Sequence, residues 1–248
     1  MIATGSPARR AWAHARWEMR LLLRNGEQVL LTLIIPVGIM LGLTLTDVFA
    51  QSDDDDRTAR ALATVLAVSV ISAAFTSLAI ATAFERRSGA LRFLGTTPLT
   101  RTELLVGKAL ATLVMTALSA GVACATALAV GWRPSPGAAW AVPVIVLGTA
   151  AFAAWGMSLA GLLRAEAVLA VANGVFLFLL MFGGVVIPAE SLPGPLATLA
   201  PVLPSGALVE ALTTILVDGA PPGWASIAIL LVWGAGGTAL AARSFRWS

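Results

Sequence analysis

Reactive side chains are scarce in these 248 residues: there is no tyrosine, one histidine, His14, and one cysteine, Cys124. With His14 alone, an intramembrane Ser-His protease, a His-ligated metal site and haem held by paired histidines all lack their residues. Cys124 has no partner for an internal disulfide and sits in an apolar run, where it reads as a small buried hydrophobe. No phosphate-binding loop is present, since Gly107-Lys108 is followed by Ala109 and the earlier glycine is missing. Charge is also sparse. Charged residues make up 12% of the chain, about half of the ~25% usual in soluble domains. No Asp, Glu, Lys or Arg is expected in the middle of a span, which argues against an ion or proton relay. The one dense acidic run, Asp53 to Asp56, is consecutive and cannot converge on one cation unaided, so a solvated loop is the expected reading. No metal site is expected.

What the chain has instead is hydrocarbon. A hydrophobic fraction of 58% and a mean hydropathy of +0.88 indicate an all-α, polytopic integral membrane protein with no room for a sizeable soluble domain. Six spans are expected, at about 28–49, 61–83, 104–130, 138–163, 167–187 and 224–242, in one membrane domain covering 1–248. Ahead of them, 6–24 reads as an amphipathic helix in the headgroup plane, capped by Ser6 with Pro7 at its first position. Trp12, Ala15, Met19, Leu22 and Leu23 gather on one face of it, and Arg9, Arg16, Arg20 and Arg24 on another. A cleavable signal peptide ending near Val48-Phe49-Ala50 is disfavoured, because the charged region before it is too long and the apolar run is of full membrane length.

The net charge of +3 and pI near 10.4 come from positive residues flanking apolar spans, so they read as topology signals rather than a nucleic-acid surface. Thirteen of the sixteen basic residues fall on one side if the spans alternate, and only Arg57, Arg60 and Arg133 fall on the other. The positive-inside rule then places both termini in the cytoplasm. The section 188–222 falls outside; prolines at 188, 193, 195, 201 and 204 break it into two short helices, about 196–200 and 206–217, the second capped by Ser205. Whether they lie on the surface or re-enter the bilayer is open at this level. Trp132 and Trp140 bracket a short turn as interfacial aromatics. Candidate path residues are Ser69, Ser72 and Thr76 in the second span and Asn173 in the fifth, small or polar groups that also suit helix packing.

The richest cytoplasmic segment is the charged island from Phe84 to Lys108. Gly95 and Pro98 stop a short helix within it, and Thr100 and Glu103 fit a capping box for the third span. Read as a helix, Ala90, Leu91, Phe93 and Leu94 share one side, while Glu85, Ser88, Gly89 and Arg92 share another. The order Phe84-Glu85-Arg86, Gly89, Leu91, Leu94, Thr97-Pro98-Leu99, Arg101 and Gly107-Lys108 resembles the loop between the second and third spans of type-2 ATP-binding-cassette exporter permeases. The basic leading helix, the six spans and Ile187-Pro188, Leu192-Pro193 and Leu203-Pro204 extend that resemblance over the whole chain.

The resemblance implies a coupling helix in 84–103 that seats on a cytoplasmic ATPase subunit through Glu85, Arg86, Arg87, Ser88, Gly89, Leu91, Arg92, Phe93 and Leu94. Pro98, Thr100, Arg101 and Glu103 would shape the loop and cap the helix after it. Glu85 would form an ion pair with Arg92 or with a basic group of the partner. It further implies a second permease copy or homologous half, membrane lipids around both, no nucleic acid, and residence in a bacterial cytoplasmic membrane. No cofactor is expected on this chain, ATP and magnesium belonging to the ATPase. The expected function is export of an amphipathic drug-like or lipid-like compound, with no catalysis by this chain. The competing readings are a haem or polysaccharide exporter of the same architecture and a non-transporting assembly scaffold.

Overall fold

The computed structural model describes residues 7–24, 26–45, 54–94, 96, 99–187 and 192–244. All regular structure among them is helical. Helix α1, Pro7–Arg24, leads into α2, Gly26–Leu45, which continues through Pro36. The second span is α3, Asp54–Val70, then a π-helical segment, Ile71–Ser77, then α4, Leu78–Arg87. A five-residue helix, α5, Ala90–Leu94, precedes α6, Arg101–Val130. A 3-10 turn at Pro136–Trp140 opens α7, Ala141–Leu162, and α8 spans Ala165–Phe182. The chain ends in α9, Pro195–Leu199, α10, Pro204–Leu216, and α11, Trp224–Ser244.

Five of these rods are long and apolar enough to cross a membrane, and the second span is the central one. In its most apolar stretch 78% of residues are buried within the protein, against 22 to 44% in the other four. Its small residues explain this. Ala61, Ala63, Ala67, Ala74, Ala79 and Ala83 let neighbouring backbones approach from every side, and the span packs on α2, α6, α7, α8 and α10. Glycines serve the same purpose opposite it. A Cβ at Gly156 of α7 would stand 2.8 Å from the Phe75 carbonyl oxygen of the π segment, closer than side chains approach. Gly237 of α11 similarly receives the Trp155 ring, which a Cβ would meet at 2.8 Å.

Several expected boundaries move. The acidic run is not all loop: α3 begins at Asp54. The fifth span stops at Phe182, five residues early, because Gly184 adopts a left-handed φ of +75°. Helix α10 starts at Pro204 with Leu203 as its N-cap, so Ser205 lies inside the helix and is fully buried; proline's fixed φ suits the first helical position. Trp132 is 8% exposed and belongs to the core, so of the pair only Trp140 sits at the surface. Ser6, Val48-Phe49-Ala50, Asp53, Gly95, Thr97-Pro98, Pro188 and Arg246 lie outside the described residues.

The section between the fifth and sixth spans re-enters the bundle. Its two helical parts, Pro195–Val202 and Pro204–Leu216, meet at a 75° bend. At the bend, Leu203 and Pro204 reach the same cavity as Phe75 and Phe152. After α10, Gly219 returns to the end where the 3-10 turn lies, its carbonyl oxygen packed against Gly137. Before the bend, the Val185 carbonyl accepts a hydrogen bond from Thr64 Oγ1 (3.4 Å), near that same end of α3. Both limbs therefore start and finish at one face, opposite the arginine-rich end.

Candidate functional site

Three separate chain segments meet at the arginine-rich end, and their packing starts from Gly107. A Cβ there would stand 2.5 Å from His14 Cδ2 and 3.2 Å from the Ala11 carbonyl oxygen, so only glycine lets α1 lie flat on α6. Ala11, His14 and Ala15 form the buried side of α1, while Trp12 and Trp17 are 51% and 59% exposed on its other faces. Such tryptophans suit the membrane interface.

One residue further on, Lys108 is 2% exposed. Its ammonium lies 2.8 Å from Glu18 Oε1 of α1 and 2.7 Å from Glu85 Oε2 of α4. A buried lysine is tolerable only when paired in this way. Beside it, His14 Nε2 is 3.4 Å from Glu18 Oε1 without making a hydrogen bond. Burial pushes the His14 imidazole below its ordinary value, the Glu18 charge opposing and the Lys108 charge adding to the fall. A second tie joins the same helices: Arg10 Nη2 donates to Glu103 Oε1 at 2.6 Å. Glu103 also closes a capping box, accepting from Thr100 N–H at 2.9 Å while its own N–H donates to Thr100 Oγ1 at 3.3 Å.

The end of α4 is tied in the other direction. Arg86 donates to the carbonyls of Gly161, at 2.9 Å, and Leu163, satisfying acceptors at the last turn of α7. Arg87 pairs with Glu166 across solvent, with 60% and 63% of the two side chains exposed, so this contact adds little. Ser88 Oγ donates to the Glu85 carbonyl, and Gly89, at φ +81°, turns the chain into α5.

Helix α5 divides differently from its expected faces. Leu91 is fully buried against Leu104, with Leu94, Leu99 and Leu105 around them. Phe93 is 73% exposed and Arg92 is exposed as well. Two residues of helix turn the side chain by about 200°, so Leu91 and Phe93 cannot share a face. Glu85 is likewise corrected: its ion-pair partner is Lys108, 23 residues along, and not Arg92. The Gly89 turn separates Glu85 from Arg92, whereas α6 brings Lys108 directly to α4. Sequence reasoning gave no role to Glu18 or Arg10 and took Lys108 only as the end of the charged island, with no partner for it; the available signal was that Lys108 is the chain's only lysine, set in an apolar run.

Of the candidate path residues, Ser69 and Ser72 line a cavity of about 550 Å³ between α2, the second span, α6 and α8. Thr64, Ser77 and Ser119 add hydroxyls to it, and Ser119 Oγ donates to Ser69 Oγ at 3.0 Å. Thr76 is absent from that lining and buried within the bundle. Asn173 is exposed and donates to the Leu169 carbonyl of its own helix at 2.7 Å. It shares a stripe of α8 with Leu180, which does line the cavity.

Among the described residues no group of His, Cys, Asp and Glu is placed to hold a metal ion. No curated protein matches the chain. The family model described as ABC-2 type transporter matches residues 9–217, a stretch that takes in α1, the ion-paired corner, the hydroxyl-lined cavity and the re-entrant section. The chain therefore belongs to the ABC-2 type transporter family and is a membrane-spanning component of such a transporter.

Proposed function

We propose that this chain is the permease subunit of an exporter driven by a separate ATP-binding-cassette ATPase, which binds the ATP and magnesium and docks on α5. The arginine-rich end is cytoplasmic in this reading, with both termini there, in a bacterial inner membrane. The observation that carries it is the anchoring of α5. Exposed Arg92 and Phe93 stand on a helix whose other side is locked by Leu91 on Leu104. The α4 residues just before it are fixed by Lys108 to α1 and by Arg86 to α7. A push on α5 is thereby passed to several spans at once and not absorbed by a loose loop.

The hydroxyl-lined cavity completes the reading. Its wall from α2 and α8 is apolar, with Ile35, Ile39, Phe176 and Leu180, while the second span supplies Ser69, Ser72 and Ser77. Such a surface suits an amphipathic, drug-like or lipid-like compound. Rocking of two permease copies would widen it toward the far side of the membrane. The test is co-purification with a stand-alone ATP-binding-cassette ATPase co-expressed with this chain, and measurement of ATP hydrolysis in nanodiscs. Arg92→Glu with Phe93→Asp should lose the ATPase subunit while the permease stays folded, and unchanged association would refute docking on α5. A permease that binds the ATPase but stimulates no hydrolysis and no substrate efflux would instead mark it as a scaffold.

A further inference from the structure

A second cavity, of about 400 Å³, lies away from the hydroxyl-lined one, on the far side of the π segment. Its floor is Phe75, Phe152 and Trp155, its walls are Phe178 of α8 and Trp233 of α11, and Pro204 closes its deep end. The polar atoms in this wall are already committed. Trp155 Nε1 donates to the Trp233 carbonyl at 2.9 Å, and Trp233 Nε1 donates to the Val202 carbonyl at 3.0 Å. Ser158 Oγ is held by the Ala154 and Gly237 carbonyls. Nothing remains to bind a polar group, so what fills the cavity is hydrocarbon.

Depth narrows the choice. Along α7 the cavity runs from Phe152 to Leu162, ten residues or about 15 Å, which is half of the ~30 Å hydrocarbon core. It therefore serves one leaflet, the one at the arginine-rich end. At its mouth, Leu162 is followed by Arg164 and Leu240 by Arg243, both exposed. The two arginines belong to one corner, because α11 ends against α7: a Cβ at Gly161 would be 3.0 Å from the Ser244 carbonyl oxygen. Neither arginine has an ion-pair partner among the described residues, and the neighbouring acid, Glu166, is taken by Arg87.

We infer that this groove binds an anionic phospholipid of that leaflet, one acyl chain lying against Trp155 and Trp233 and the phosphate held by Arg164 and Arg243. Basic residues at the mouth of an interhelical cleft favour such headgroups. The site does not rest on the ATPase reading, and a permease that failed every docking test could still hold the lipid.

The experiment uses the full chain in phosphatidylcholine nanodiscs containing increasing fractions of phosphatidylglycerol with brominated acyl chains, which quench nearby tryptophans. The contribution of the groove pair is taken as the difference from a Trp155→Phe, Trp233→Phe variant. Half-quenching is expected at a roughly thirty-fold lower fraction of brominated phosphatidylglycerol than of brominated phosphatidylcholine, as two arginines near a headgroup imply. Arg164→Gln with Arg243→Gln, on exposed positions, should erase that preference without moving the melting temperature. Native mass spectrometry from the same nanodiscs should count one retained phosphatidylglycerol per chain, lost in the double glutamine variant. Equal quenching by both lipids, or a preference that survives the double variant, overturns the proposal. So does a groove pair that neither lipid quenches, the result expected if a second copy or a substrate covers it.

Discussion

Replacing Lys108 by methionine keeps most of the side-chain stem and removes the charge that joins α1, α4 and α6. Glu18 and Glu85 now hold that ammonium at 2.8 and 2.7 Å; without it, two carboxylates face each other in a largely closed space. Removing one member of a buried ion pair costs about 3 to 5 kcal/mol. Glu85 keeps 30% of its side chain exposed, so the low end applies, about 3 kcal/mol. For a chain of this size each kcal/mol moves the melting temperature by ~2 to 4 °C, and Lys108→Met should lower it by about 6 to 12 °C. The assay is thermal unfolding of the purified chain in nanodiscs at neutral pH, followed by tryptophan fluorescence. Adding Glu18→Gln and Glu85→Gln to the methionine variant removes the uncompensated charge and should restore at least half of the loss. A drop of less than ~2 °C, or a triple variant no more stable than the single one, would refute the claim that the buried cation carries this corner.

Three further outcomes follow from the same geometry. Gly107→Ala drives a methyl into the His14 ring, 2.5 Å from Cδ2, and should destabilise by about 1 to 3 kcal/mol, the usual cost of overpacking; faster proteolysis within α1 would show it, and an unchanged rate would contradict the close contact. His14 is held below its ordinary value by burial, so the unfolded chain binds its proton more readily. Stability should thus be level above a pH of about 6.5 and fall as the pH drops through that value, a slope that His14→Gln removes in pH-dependent melting curves. In the hydroxyl-lined cavity, Ser69→Ala and Ser119→Ala should be less costly together than their sum, since either alone strips the other of its partner; a double-mutant cycle should give a coupling of about 0.6 kcal/mol.

The apolar rods from the second span onward were legible from apolar runs, because hydropathy is a one-dimensional property; the first expected span, 28–49, meets only the shorter apolar helix Ile34–Thr44 among the described residues. The Thr100 to Glu103 box was legible for the same reason: its two partners are three residues apart. The ion-paired corner was not, since Lys108 reaches Glu85 and Glu18 across 23 and 90 residues, and no spacing encodes such a meeting. The faces of α5 were within reach of a helical wheel, on which Leu91 and Phe93 point apart. The prolines of 188–222 announced a break but carried no depth, which is set by how far Leu203 and Pro204 slide between α7 and α11. The π segment has no sequence signature at all in Ile71–Ser77.

That segment governs angle as well as shape. A ladder of i to i+5 bonds takes more residues per turn than the i to i+4 ladder on either side, so Ile71–Ser77 sets the phase between the two halves of the central span. Above it, Thr64 and Ser69 are aimed at the hydroxyl-lined cavity; below it, Glu85 is aimed at Lys108 and Arg86 at the end of α7. One residue gained or lost in the segment would swing the lower half by about 100° while leaving its hydropathy untouched. The span is therefore indexed like a keyed shaft, and its length in residues is as much a part of the corner as the charges that meet there.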